Sequence, residues 1–163
     1  MFTTDHLRSL LYVPADQAHM MRKAMGTQAD AIIFDLEDAV ADSKKAAARK
    51  ELEQFMPYAL SHGKEIMVRV NDINSEFFPQ DLALIAGIGV QTMILPKAEK
   101  GKLKQADRLL CKLGDQAKEI KIIPLIETPS GLVFISDILS ESDRVIAGQL
   151  GAEDLTKIGR AHV

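Results

Sequence analysis

Two acidic residues stand at the ends of apolar runs late in the chain. Glu127 closes Ile122-Ile123-Pro124-Leu125-Ile126-Glu127-Thr128, and Asp154 closes Val145-Ile146-Ala147-Gly148-Gln149-Leu150-Gly151-Ala152-Glu153-Asp154. They are 27 residues apart (127 to 154), the length of one βα unit. Two carboxylates from neighbouring strand ends can hold one hard cation such as Mg²⁺, with water and substrate filling its remaining positions. Four similar runs precede them, and three of those also end in charge. Strands that repeatedly deliver charge at their exits build a reactive rim as well as a core.

The second run ends Phe34-Asp35-Leu36-Glu37-Asp38. Period-two geometry puts Asp35 and Glu37 on one face and Leu36 and Asp38 on the other. Acids this dense repel one another unless a cation, hydrogen-bond donors or raised pKa values relieve them. The plainer alternative is a helix N-cap by Asp38 or Asp42, with the rest solvated. Arg69 lies in Val68-Arg69-Val70-Asn71, a β-branched setting where a cation needs a partner. Its planar fork suits a substrate carboxylate, and equally a structural salt bridge to Asp35 or Glu37. Lys97, in Leu95-Pro96-Lys97, fits an anionic substrate or an ordinary loop lysine. The acids around it oppose the low pKa that a Schiff-base lysine needs. Gly148 and Gly151 permit a bulge or the close approach of a ligand. His6, His19, His62 and His162 have no ligand spacing, and the first and last are expected to be exposed. No H-x-x-x-H, nucleophile elbow or paired-cysteine motif is present. Cys111 reads as packing on a helical face.

The elements that must position these residues are legible as a rhythm. Six apolar runs, Leu7–Val13, Ala31–Leu36, Ile66–Val70, Thr92–Leu95, Ile120–Ile126 and Arg144–Leu150, are rich in Ile, Val and Leu and mostly lack strict alternation. That is the habit of parallel strands buried on both faces. Helical patterns lie between them. Met21, Ala24 and Met25 share a face, as do Leu52, Phe55, Met56, Ala59 and Leu60, where Pro57 is expected to kink or end the helix. Leu82, Leu84 and Ile85 begin a third helix; Leu103, Ala106, Leu109, Leu110 and Leu113 mark a fourth; Gly131–Leu139 is a shorter fifth. The alternation predicts an α/β fold with a parallel sheet in one domain. A doubly wound sheet suits the length, but Val13-Pro14-Ala15-Asp16 lacks its Gly-rich turn. A barrel places chemistry at the C-terminal ends of many strands, as here, but typically needs about 250 residues when complete.

The chain has 163 residues, 47% hydrophobic and 26% charged, with net charge −3. That length supports one sizeable core, and the charge leaves no basic footprint for nucleic acid. The apolar runs are too short to span a bilayer, and no signal peptide is read at the N-terminus. A single cysteine fits a reducing compartment, so a cytoplasmic location is expected.

Taken together, Arg8-Ser9-Leu10-Leu11-Tyr12-Val13-Pro14, Asp35-Leu36-Glu37-Asp38-Ala39-Val40, Val68-Arg69-Val70-Asn71, Leu95-Pro96-Lys97, Leu125-Ile126-Glu127-Thr128 with Gly131-Leu132, and Gly151-Ala152-Glu153-Asp154-Leu155 resemble, in order, the citrate lyase β-subunit-like group of the HpcH/HpaI aldolase family. The resemblance implies a TIM (β/α)₈ barrel, of which about six βα units would lie in this chain. It implies Mg²⁺, held by Glu127 and Asp154, and a substrate contact from Arg69, with Glu127 also bordering the substrate. Asp35, Glu37 and Asp38 would hold metal waters or brace the groups that bind the ion. The implied activity is a Mg²⁺-dependent, Claisen-type carbon–carbon lyase acting on citryl, malyl or related acyl thioesters of coenzyme A or an acyl carrier protein. Alternatives are a non-catalytic barrel fragment or assembly piece, a related class II aldolase, and an acyl-thioester hydrolase.

The pattern departs in two places. Ala15 replaces a glycine usual in the first turn. The end, Lys157-Ile158-Gly159-Arg160-Ala161-His162-Val163, does not match the family's continuation, so the chain reads as C-terminally truncated. Residues 1–156 would form the partial barrel and 157–163 a short tail. The general base would then lie in the missing C-terminal region, activity would be impaired, and open barrel edges would favour a homo-oligomer.

Overall fold

The computed structural model describes residues 7–160. His6 and His162, read above as exposed, lie outside them, as does the last part of the expected tail. Six parallel strands form one sheet: β1 Leu10–Pro14, β2 Ala31–Asp35, β3 Glu65–Arg69, β4 Thr92–Leu95, β5 Lys121–Ile126 and β6 Gln149–Leu150. Helices α1 Ala18–Met25, α2 Lys45–Leu60, α3 Phe78–Gly87 and α4 Lys102–Lys112 follow the first four strands in turn. Then α5 Pro129–Val133 and α6 Ile135–Leu139 follow β5, and α7 Ala152–Arg160 follows β6. Helix α7 runs across the expected boundary between residues 156 and 157.

Each strand pairs with its neighbour in sequence, from β1 through β6. A doubly wound sheet would reverse direction at a switch point. Unbroken sequential order is that of a barrel wall, so the fold is a curled partial TIM-type barrel. Side chains sort by parity. Ala31, Ile33, Met67, Ile94, Ile123 and Leu125 are buried together on one face, with Tyr12, Ile146 and Ala147 packed against them. Ile32, Phe34, Val68, Met93 and Ile122 are buried on the other, in one cluster with helix residues such as Met21, Leu52, Leu82 and Leu110. Burial on both faces removes any need for polar alternation, and each such side chain contributes roughly 1.5–3 kcal/mol.

Most strand limits fall within a residue of the sequence expectation, and four features differ from it more. Strand β1 starts at Leu10, not Leu7, because the backbone N–H groups of Arg8 and Ser9 donate to the Asp30 carboxylate rather than to a neighbouring strand. The sixth strand, expected over Arg144–Leu150, is a bridge at Val145 and then only Gln149–Leu150. Arg144 turns its guanidinium to Asp107 and the carbonyls of Ala117, Lys118 and Ile120, and Leu139 presses to within 3.2 Å of where a Cβ on Gly148 would be. The fifth helix is two short pieces that meet at Phe134, whose ring carries the Lys100 ammonium 3.9 Å from its centroid. Pro57 does not end α2, which continues to Leu60; Glu53, whose carbonyl loses its donor there, is an exposed residue. Among the described residues no helix is long and apolar enough to cross a membrane.

Candidate functional site

The strand exits converge at one end of the barrel, and the cations there are already paired. Asp35 and Arg69 are register partners on β2 and β3. Arg69 donates from Nε to Asp35 Oδ1 at 2.8 Å and from Nη2 to Oδ2 at 2.6 Å, a bidentate fork. Its Nη1 lies 3.1 Å from Glu37 Oε2 and 3.8 Å from Asp38 Oδ2. Burial opposes the Arg69 charge, but the Asp35 hydrogen bonds outweigh it and hold the pKa above its ordinary value. The structural salt bridge to Asp35 is therefore formed. Asp35 also accepts the Glu37 and Ala39 N–H groups, closing the turn after β2. The N-cap reading of Asp38 and Asp42 is not realised: Lys44 occupies that position on α2, without a side-chain cap.

Lys97 is not an idle loop lysine. Its Nζ donates to Glu37 Oε1 at 2.7 Å, and its backbone sits at φ 48°, in the left-handed region that a bulky residue rarely adopts. That turn aims its backbone N–H at Glu127 Oε1, 2.7 Å away. Burial raises the Glu37 pKa against the pull of Lys97 and Arg69. Although Glu37 Oε2 is close to Arg69, it is buried and makes no hydrogen bond. Beneath the acids, buried Lys45 donates to the Leu36 and Glu37 carbonyls at 2.8 and 2.7 Å. Asn71 bridges the Leu36 carbonyl to Asp81, which Arg49 also binds. This network fixes the backbone that presents Glu37 and Asp38.

The other side of the site is built differently. Glu127 leaves β5 only 3% exposed. Burial pushes its pKa up to about 7; the Lys97 N–H opposes the rise, while the Glu37 and Asp154 carboxylates add to it. Gly151 packs directly on it: a Cβ there would lie 2.6 Å from Glu127 Cβ and 3.1 Å from Oε2. Asp154, half-buried, sits in the first turn of α7, where the helix dipole favours a carboxylate. Thr128 caps α5 through the Gly131 N–H.

Asp35, Asp38, Arg69, Glu127 and Asp154 all line one cavity of about 520 Å³, together with Tyr12, Gln149 and Gly151. Glu37 stands behind it, between Lys97 and Arg69. Among the described residues, no three Asp, Glu, His or Cys side chains already converge as a metal-ligand set. Sequence reasoning missed Tyr12, Gln149 and Lys45. Tyr12 had one usable signal, a polar hydroxyl on an interior-facing strand position. Burial raises its phenol pKa, and its ring lies 5.1 Å beneath the Arg69 guanidinium carbon.

Comparison with known proteins converges on one group. The model of the HpcH/HpaI aldolase/citrate lyase family matches residues 8–161. The chain is 34% identical to the citrate lyase subunit beta of Haemophilus influenzae over 155 residues, covering 92% of this chain and 53% of that protein. It is also 34% identical to a (3S)-malyl-CoA thioesterase of Cereibacter sphaeroides over 151 residues, covering 92% of this chain and 50% of that one. Among solved structures, a citrate lyase beta subunit from M. tuberculosis, complexed with oxaloacetate and magnesium, superposes with TM-score 0.69 at 32% identity, covering 92% of this chain and 60% of that one. The chain spans about half the length of the curated relatives it matches.

Proposed function

The chain belongs to the HpcH/HpaI aldolase/citrate lyase family, and from that premise we propose that it carries the metal- and substrate-holding side of a carbon–carbon lyase site. The substrate would be a citryl- or malyl-type acyl thioester of coenzyme A or an acyl carrier protein. The observation that carries this reading is Glu127, a buried carboxylate beside two others that forms no ion pair among the described residues, whereas Asp35 is paired with Arg69.

The donor set fits a hard dication such as Mg²⁺. Glu127 Oε1 is held by the Lys97 N–H, and Oε2 lies at Gly151, where a Cβ would crowd it. Glu127 and Asp154 would ligate the ion. The orphaned Glu37 Oε2 would accept a hydrogen bond from one of its waters, with Asp38 at the rim. When bound, Mg²⁺ would act as a Lewis acid on the oxo group and offset the charge of the adjacent carboxylate. Asp35 acts further out, fixing Arg69 rather than the ion. Arg69 lines the cavity and has N–H donors beyond the two given to Asp35, so it can orient a substrate carboxylate. Lys97 favours the ionised form of Glu37 against burial and holds it in place. No described residue is assigned as the base that takes the hydroxyl proton.

A second reading, thioester hydrolysis, is favoured by the resemblance to a malyl-CoA thioesterase at equal identity. Incubation with Mg²⁺ and malyl-CoA or citryl-CoA separates them. Release of glyoxylate or oxaloacetate supports the lyase; free malate or citrate supports the hydrolase; neither product points to a non-catalytic piece. The reading keeps residues 1–156 as the barrel part and the cytoplasm as its location. It also includes self-association, supported by exposed Leu10 and Leu11 on β1 and Leu150 on β6, the two outer strands.

A further inference from the structure

We propose that Gln149, oriented by Tyr12, is a specificity-determining residue of this site: its amide N–H groups receive the second carboxylate of a dicarboxylic 2-oxo acid. The inference rests on the reading above and names what the site selects. Tyr12 on β1 and Gln149 on β6 are 137 residues apart, yet the phenol donates to Gln149 Oε1 at 3.0 Å. Both line the cavity with Glu127 and Asp154. The same Tyr12 ring underlies Arg69, so one aromatic side chain positions both the cation and the amide.

With Oε1 given to Tyr12, Gln149 Nε2 has no acceptor among the described residues. Apart from Arg69, the other lining side chains are acids, apolar groups or Tyr12, whose hydroxyl proton is committed. On that reading, the ion and Arg69 would meet the oxo group and one carboxylate of a 2-oxo acid. A second carboxylate then needs a donor of its own, because burying it unpaired is costly. Gln149 is the neutral side-chain donor left to meet it.

Isothermal titration of the full chain in Mg²⁺ with freshly prepared oxaloacetate and with pyruvate tests this. The wild type is expected to bind oxaloacetate more tightly. Gln149→Met is expected to weaken oxaloacetate by about tenfold and pyruvate by less than about twofold. Tyr12→Phe should lose part of the same preference, and the double variant should be no worse than Gln149→Met. Pyruvate binding reports that each variant is folded and metal-competent. Equal losses on both acids, or none, would overturn the inference and leave the metal-site reading standing. Failure of the wild type to bind either acid in Mg²⁺ would overturn both.

Discussion

The two halves of the candidate site carry similar acids in opposite electrostatic states. At the β2–β3 exits, Asp35 is 1% exposed but accepts four hydrogen bonds, two of them from Arg69. At the β5–β6 exits, Glu127 is nearly as buried, accepts one backbone N–H, and faces Glu37 and Asp154. The first half is a finished ion pair. In the second, Glu127 has no ion pair among the described residues, and a glycine stands where a side chain would fill the space. Similar burial with different compensation separates a group that holds a scaffold from a group that awaits a ligand.

Breaking the finished half should cost most. Arg69→Met leaves Asp35 buried without its cation, and loss of about 3–5 kcal/mol in urea unfolding at neutral pH is expected. An unchanged midpoint would mean that the fork contributes nothing.

Relieving the unfinished half should have the opposite sign. The Glu127 pKa is about 7 in the fold, against 4.5 ordinarily. Its favourable contribution is therefore present below pH 4.5 and lost as pH rises through about 7. Without metal, Glu127→Gln should be more stable than wild type at pH 8, by up to about 3 kcal/mol, with the advantage gone near pH 4.5. A pH-independent difference would show that the carboxylate is not strained.

Gly151→Ala probes the close approach itself. A Cβ 2.6 Å from Glu127 Cβ must push β6 or Glu127 aside, so a stability loss of about 1–3 kcal/mol by thermal melting is expected. The smallest effect lies at the far end of the barrel. Asp30 is held at about 2 by the Arg8 and Ser9 backbone N–H groups and the Ser9 hydroxyl. Its contribution is present above its ordinary 3.8 and lost as pH falls through about 2, so wild type and Asp30→Ala melting curves should converge there.

Much of this comparison was legible in the residues. Strand parity put Asp35 and Glu37 on one face, and both are buried, while Asp38 is exposed. Spacing singled out Glu127 and Asp154, and the pairing of Arg69 with Asp35 was one of two open alternatives. Strand order was not legible, because apolar runs do not say which neighbour they pair with. The Tyr12–Gln149 contact spans 137 residues and leaves no local pattern. The sixth strand misled because Gly148 and Arg144 answer to tertiary partners, Leu139 and Asp107, that an apolar run does not reveal. The left-handed Lys97 was hidden because nothing in Leu95-Pro96-Lys97 requires a positive φ.

Among the described residues, Asp35 has a paired cation and Glu127 has none, which leaves Glu127 to a metal ion. Magnesium titration at pH 8, followed by calorimetry and thermal melting, tests it most directly. Wild type is expected to bind and to melt at higher temperature with Mg²⁺, Asp154→Asn to bind much more weakly, and Glu127→Gln to show neither response. Equal Mg²⁺ binding by wild type and Glu127→Gln would contradict it.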